Sequence, residues 1–300
     1  MAFYSERIDL SGDSNPDRRA ALFRESARDR LERWAFGLAW SLMPRRIGGL
    51  PALARLWLSD LVQPGNALPD PESALAQPYG LAGIAHDLSV PTLLAAHRSG
   101  LYPFAHVGPV KWWSPPMRSL LFFGQTHISK RLRRQMRQGH YRVTFDRDFD
   151  GVIKACAGQR AGRFHVTWIT PKIMRAYAAL HDEGHAHSFE VWNDKGELAG
   201  GGYGVAVGNS FVTESQFSRE DNTSKIGFTV LNYHLATWDF AFNDGKMLTP
   251  TTRDQGFHEI PRADYLTRLA AAVEQPDRRG RWQVEADATE VADWKPLDRD

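Results

Sequence analysis

Apolar positions along the chain follow two periods, and the change falls at Gly184. Upstream they recur every third or fourth residue, the spacing of a helix with one buried face. Leu31, Trp34, Leu38 and Leu42 form one such stripe in residues 31–43, and Phe36, Trp40 and Met43 make the segment apolar on a second side. Arg45, Arg46 and a Gly-Gly-Leu-Pro break precede a second apolar segment over residues 52–62. Residues 87–99 predict a helix with Ser89 as N-cap, Pro91 in the first turn and Leu93, Leu94 and His97 on one face; Gly100 ends it. Ser129 caps a strongly basic helix that stops at Gly139. Thr170 and Pro171 open another, with Ile173, Met174, Tyr177 and Leu180 as its buried stripe and Gly184 as its end.

Beyond Gly184 the period is two. Residues 186–192 and 198–207 read as strands joined by Asn193-Asp194-Lys195-Gly196, a hairpin signal. A third strand over residues 209–214, a loop over 215–224, a helix over about 225–240 and a last strand beginning at 246–248 follow. This order predicts an α+β fold of the N-acetyltransferase (GNAT) type, a mixed sheet with flanking helices. Around that domain, residues 124–272, we place an N-terminal extension (1–66), a small N-terminal domain (67–123) and a charged tail (273–300) containing Trp282 and Trp294. Residues 11–30 are charged and read as frayed or weakly helical, and residues 64–78 as a Pro- and Gly-rich linker.

A single cysteine, Cys156, excludes an internal disulfide and a cysteine zinc cluster and suits a reducing compartment. The first residues lack a secretory pattern, and no run approaches the roughly 18 apolar residues of a bilayer span. The expected location is cytoplasmic. Two short Trp-rich segments within residues 31–62 could lie on a membrane surface, but packing on the body of the protein or on a second subunit is the favoured reading.

Charge is distributed unevenly. The whole chain carries 37 Lys and Arg against 35 Asp and Glu. Between Asp87 and Asp146, however, no acidic residue offsets Arg98, Lys111, Arg118, Lys130, Arg131, Arg133, Arg134, Arg137 and Arg142. Such a stretch attracts phosphate, which makes nucleic acid the first partner to consider; a solvated helix face is the bland alternative. Trp112 and Trp113, beside Lys111 and Arg118, suit base stacking near a phosphate chain or simply a core.

Other candidate chemistry is thinner. His181, His185 and His187 span a helix-to-strand junction without the carboxylate or thiolate that would complete a zinc set, so structural histidines are the better reading. An acetyltransferase would cradle the pyrophosphate of CoA in a glycine-rich turn. Here that turn, residues 218–225, has no glycine and carries Glu220 and Asp221, which disfavours acetyl-CoA. The run Gly200-Gly201-Gly202-Tyr203-Gly204 marks a bulge or a close backbone approach to a ligand.

Taken together, several collinear stretches resemble the leucyl/phenylalanyl-tRNA–protein transferases. They include Gly100-Leu101-Tyr102-Pro103-Phe104, Lys111-Trp112-Trp113-Ser114-Pro115, Thr167-Trp168-Ile169-Thr170, Gly184-His185-Ala186-His187-Ser188, Glu214-Ser215, Phe217-Ser218-Arg219 and Glu259-Ile260-Pro261-Arg262. The likeness runs over about residues 68–268. It implies transfer of an amino acid from aminoacyl-tRNA to a protein N-terminus, marking the product for degradation, without metal or CoA cofactor. It further implies that Lys130, Arg131, Arg133, Arg134 and Arg137 track the tRNA acceptor stem. Trp168 and Phe104 (a Trp in most members) would cradle the terminal adenosine, and Glu214 would stand near the reacting ester. Tyr177 and Ser218 complete the expected substrate contacts.

Two departures from the family pattern stand out. Thr249 and Thr251 occupy the places of an Asp-x-Gln pair that positions the attacking amine, and they are the catalytic candidates beside Glu214. Gly202 and Gln216 replace two pocket methionines, which predicts an enlarged, more polar donor pocket and a donor other than simply Leu or Phe. The leading reading is therefore an aminoacyl-tRNA-dependent aminoacyltransferase with altered donor or acceptor. The alternatives are an aminoacyl-tRNA-binding protein without transfer, transfer to a lipid or small-molecule acceptor, and, last, a CoA-dependent acyltransferase.

Overall fold

The computed structural model describes residues 16–42, 48–62, 65, 67–104, 108–158 and 167–296, without the side chains of Phe36, Trp40 and Ser41. Met43, Arg45 and Arg46 fall outside the described residues. In chain order the helices and strands are α1 (Pro16–Leu22), α2 (Ala27–Ser41), α3 (Leu50–Val62), β1 (Leu81–Ile84), α4 (Val90–Arg98), β2 (Tyr102–Phe104), β3 (Lys111–Trp113), β4 (Met117–Leu121), α5 (Lys130–Arg137), β5 (Arg142–Phe145) and α6 (Phe149–Ala157). There follow α7 (Pro171–Asp182), β6 (Ala186–Trp192), β7 (Leu198–Val207), β8 (Ser210–Ser218), α8 (Thr223–Thr237), β9 (Phe242–Lys246), α9 (Pro250–Arg253), β10 (His258–Pro261), α10 (Arg262–Val273) and α11 (Ala288–Val291).

The expected mixed sheet is present, with seven strands in the order β10-β4-β9-β8-β7-β6-β5. Neighbours are antiparallel except β8 and β9, which run parallel and are joined through α8. A separate three-stranded sheet, β1-β3-β2, lies in the preceding segment. On one face of the large sheet α4, α6 and α7 bury Leu93, Phe149, Val152, Tyr177 and Leu180 against Tyr203 and Val205. On the other, α5, α8 and the tail bury Leu132, Phe228, Leu231 and Trp282 against Phe189 and Phe211.

Local chemistry explains most boundaries. The Ser129 hydroxyl accepts from the Leu132 amide at 3.2 Å, and Thr170 accepts from Ile173. At α4 the capping group is not the expected one. Ser89 makes no side-chain cap; Asp87 instead accepts from the Ser89 amide and from the hydroxyls of Ser89 and Thr92. The last predicted strand also moves. β9 ends at Lys246, whose left-handed φ of 64° turns the chain out of the sheet. Thr249 then caps α9 rather than extending a strand.

Residues 16–22, expected to be frayed or weakly helical, and the tail are both docked. In the first, Arg18 is paired to Asp148, Arg19 is paired to Asp150 and Asp182, and the following Phe23 is fully buried. Within the single chain the apolar stripes of α2 and α3 are left uncovered: Leu31, Trp34, Leu38 and Leu42, then Trp57, Leu58, Leu61 and Val62, are exposed. No helix among the described residues is long and apolar enough to cross a membrane. The tail is part of the core. Trp282 stacks on His187 with ring centres 3.6 Å apart, and its amide donates to Asp146 at 2.7 Å. His187 binds the same carboxylate through Nδ1 at 2.9 Å, so this junction histidine serves the tail.

Candidate active site

Two irregularities of the sheet create the site. β8 and β9 pair only from Ser210–Val212 to Phe242–Asp244, and β8 runs on to Ser218 paired with β7 alone. Meanwhile β7 and β8 shift register, with Tyr203 opposite Ser215 but Gly204 opposite Thr213. Glu214 is the extra residue of that bulge, and bulges re-aim side chains. Its carboxylate, with no exposed surface, turns to α4 and α7.

Lys246 closes the gap between the parted strands. Its Nζ donates to Glu214 Oε2 at 2.6 Å and to the Glu214 carbonyl at 3.2 Å. The same ammonium lies 5.2 Å from the ring centre of Tyr102 and 5.3 Å from that of Trp168, within reach of the cation–π attraction. Trp168 in turn faces Phe104, ring centres 5.3 Å apart and planes tilted by 33°. Both rings are half-buried, so this aromatic wall is the open side of the cluster.

Behind Glu214 the surroundings are closed. His97 Nε2 lies 3.7 Å from Glu214 Oε1, and the rings of Tyr177 and Tyr203 stand 5.5 Å apart beside them. Among the described residues, both nitrogens of His97, the hydroxyls of Tyr177 and Tyr203, and Glu214 Oε1 have no partner in hydrogen-bonding geometry, although the Tyr177 hydroxyl interacts with the Glu214 carboxylate. Buried polar groups are nearly always paired, so a concentration of orphans around one carboxylate marks a functional site. Burial pushes His97 down to about 4, helped by Lys246 and Arg118 and opposed by Glu214. Burial pushes both tyrosines up.

A second buried pair supports the first. The Arg118 guanidinium binds Asp244 through Nε and Nη2 at 2.7–2.9 Å, donates to the Gly100 carbonyl, and sits 4.4 Å from the Tyr265 ring centre. Asp244 also accepts from the Lys246 amide at 2.7 Å, fixing the strained turn from which the lysine projects.

Of the residues singled out from sequence, Glu214, Trp168, Phe104 and Tyr177 converge here. The others do not. Thr249 and Thr251 are both exposed, and the Thr249 hydroxyl accepts from the Thr252 amide. Ser218 closes the turn before α8, its hydroxyl bonded to the Ser224 amide and hydroxyl. Gly202 and Gln216 pair across β7 and β8 and face α8, and the predicted enlargement is absent. A Cβ on Gly202 would meet Phe189 at 2.7 Å and Gln216 Cγ at 2.8 Å, so a neighbouring ring fills the space. Lys111 folds onto the Pro109 carbonyl and Trp112 is core, so the pairing with Arg118 as a phosphate platform does not form. On α5, Arg133 donates to the carbonyls of Ala292 and Trp294, and Arg137 pairs with Asp293. Lys130, Arg131 and Arg134 are exposed on the same helix.

Sequence reasoning missed His97, Lys246 and the Arg118–Asp244 pair as site elements. The available signal was slight: a histidine on a buried helix face, and a lysine following Asp244-Gly245.

Residues 120–270 match the leucyl/phenylalanyl-tRNA protein transferase family, and residues 86–116 match the N-terminal domain of that family. The chain belongs to this family. The leucyl/phenylalanyl-tRNA–protein transferase of Pseudomonas syringae pv. syringae (strain B728a) is 46% identical over 209 residues, 69% of this chain and 90% of the relative. That of Alkalilimnicola ehrlichii is 41% identical over 239 residues, 79% and 92% of the two chains. That of Anaeromyxobacter sp. (strain Fw109-5) is 42% identical over 221 residues, 73% and 93%. In this transferase the site joins both matched segments, with His97 and Phe104 from the first and Trp168, Tyr177, Glu214 and Lys246 from the second.

Proposed function

We propose that this transferase moves an amino acid from aminoacyl-tRNA to the N-terminal amine of a protein, in the opening between β8 and β9. The observation that carries the reading is the buried Glu214–Lys246 pair beside the half-open Phe104–Trp168 wall. Amine attack on the ester forms a C–N bond and breaks the C–O bond to the ribose, while a proton passes from nitrogen to the departing oxygen. Glu214 Oε1, which has no partner in hydrogen-bonding geometry, is the base that takes that proton. Two N–H groups of Lys246 are used by Glu214, and the third is the donor for the oxyanion. The adenosine stacks on Trp168 and Phe104, and Lys130, Arg131 and Arg134 hold the acceptor stem.

The finer points are part of the same proposal. The parallel β8–β9 pair that parts around the site supports a GNAT-like arrangement, and the single cysteine supports a cytoplasmic location.

Labelled amino acid transferred from charged tRNA to a peptide with a free N-terminus, and lost in Glu214→Gln, is the expected result. A second reading is a tRNA binder without transfer. Salt-sensitive tRNA binding with no transfer to any peptide would decide for it.

A further inference from the structure

His97 and Glu214 face each other inside the cluster without touching. Nε2 and Oε1 are 3.7 Å apart, neither has a hydrogen bond, and neither side chain has any exposed surface. Two buried orphans aimed at one another need an explanation, because such atoms are almost always satisfied. Catalytic hydrogen bonds are often long before substrate arrives and tighten in the complex. A contraction of less than an ångström would bring this pair within bonding distance.

Of the other groups around the imidazole the two cations are already committed, and the Tyr177 hydroxyl, which interacts with the same carboxylate, is the competing donor. Lys246 on β9 holds the opposite oxygen of Glu214, and Arg118 on β4 is locked to Asp244 on β9. Tyr177 on α7 meets His97 edge to face with ring centres 6.3 Å apart, and Tyr203 on β7, Tyr102 on β2 and Tyr265 on α10 complete the polar surroundings. Burial among these groups keeps the imidazole neutral, with one N–H and one lone pair.

We propose that His97 is a positioning residue for the transfer: its Nε2–H donates to Glu214 Oε1 as substrate closes the site, completing a Lys246–Glu214–His97 line that aims the carboxylate at the attacking amine. The proposal rests on the transferase reading above. With Lys246 on one oxygen and His97 on the other, the carboxylate cannot rotate, and the second lone pair of Oε1 is left for the proton of the amine. A neutral donor suits this role, since it stabilises the ionised carboxylate without cancelling its charge.

Two substitutions separate positioning from packing. His97→Leu removes the donor, and His97→Gln keeps one on a side chain of similar reach. The expected result is that kcat in His97→Leu falls by about 10- to 100-fold, the weight of one hydrogen bond to a charged group. KM for aminoacyl-tRNA should stay within about twofold, because the phosphate and adenosine contacts are untouched. The acid limb of kcat/KM should move to higher pH, since the carboxylate loses a bond that favours its charged form. His97→Gln should restore both rate and limb.

An unmoved acid limb in His97→Leu, or a His97→Gln variant as impaired as His97→Leu, would overturn the proposal. Nitrogen-15 NMR of the wild-type imidazole gives a decision that needs no variant to fold. The Nε2–H tautomer is expected; an Nδ1–H tautomer, which would set a lone pair against Oε1, overturns the assignment. A wild-type enzyme that transfers nothing would refute the transferase reading, while the tautomer would still decide the His97–Glu214 contact.

Discussion

The ring of Phe189 on β6 occupies the place of a side chain at Gly202 on β7, its nearest atoms 2.7 Å from where a Cβ would stand. The same ring would meet a Cβ on Gly227 of α8 at 2.5 Å, so it is nested between two glycines. Restoring a methionine by Gly202→Met should therefore overpack the core and cost about 1–3 kcal/mol. Combining it with Phe189→Leu should recover much of that cost, because the two sites share one volume. Urea unfolding of the four proteins in the cycle is the measurement. Additive effects would show that the ring is not the filler.

The Arg118–Asp244 pair lies under the site with essentially no exposed surface on either partner. Asp244→Ala should leave the guanidinium with Gly100 and Tyr265 but no counter-charge, at a cost of about 3–5 kcal/mol. Replacing both by Met and Leu should be far milder, since an apolar pair removes the buried charge altogether. Transfer should still fall in the double variant, because Asp244 also fixes the amide of Lys246. A denaturation midpoint for Asp244→Ala equal to that of the wild type would refute the account.

Acid stability follows from groups whose buried forms are neutral. Burial pushes His97 and His181 down to about 4, so both stay uncharged in the fold while an unfolded histidine takes a proton below 6.5. Their contribution is present above 6.5 and is lost as the pH falls towards 4. Glu190 works the other way. Burial lifts it to about 7 against an ordinary 4.5, so its contribution is full below 4.5 and disappears as the pH rises to 7. Glu190→Gln should accordingly steepen the loss of stability on acidification, by up to about 1.4 kcal/mol per pH unit. Urea midpoints between pH 7 and 5 would test it; parallel curves for the two proteins would contradict the assignment.

Legibility in the sequence tracked how local each signal is. β6 and β7 run over the residues expected from period-two alternation, and the Asn193–Gly196 turn joins them, because alternation and turn chemistry are local properties. Glu214, Trp168, Phe104 and Tyr177 were nameable through family likeness and do meet in space. Lys246 and His97 were not, since nothing local tells a buried, paired lysine from a surface one. Thr249 was misplaced for a specific reason: the left-handed turn at Lys246 ends β9 before it. The four-residue β5 was missed, being too brief to show a period, and α6 was missed although it is as long as α4.

The basic helix α5 carries five cations that sequence alone treats alike, and the fold divides them. Arg133 is committed to the carbonyls of Ala292 and Trp294, and Arg137 to Asp293, so these two hold the tail. Lys130, Arg131 and Arg134 remain turned to solvent while Leu132 and Met136 anchor the helix. Charge reversal of those three should weaken tRNA binding for every tRNA sequence. It should also lower the slope of log affinity against log salt, by roughly 0.7–0.9 for each phosphate that is no longer neutralised. Arg133→Ala should behave differently. Its main effect should be a lower melting temperature, since two tail carbonyls are left without their donor, with a salt slope close to that of the wild type. If Arg133→Ala reduced the salt slope as much as Arg131→Glu, the tail would have to leave α5 when tRNA binds, and Arg133 would belong with the phosphate-binding cations after all.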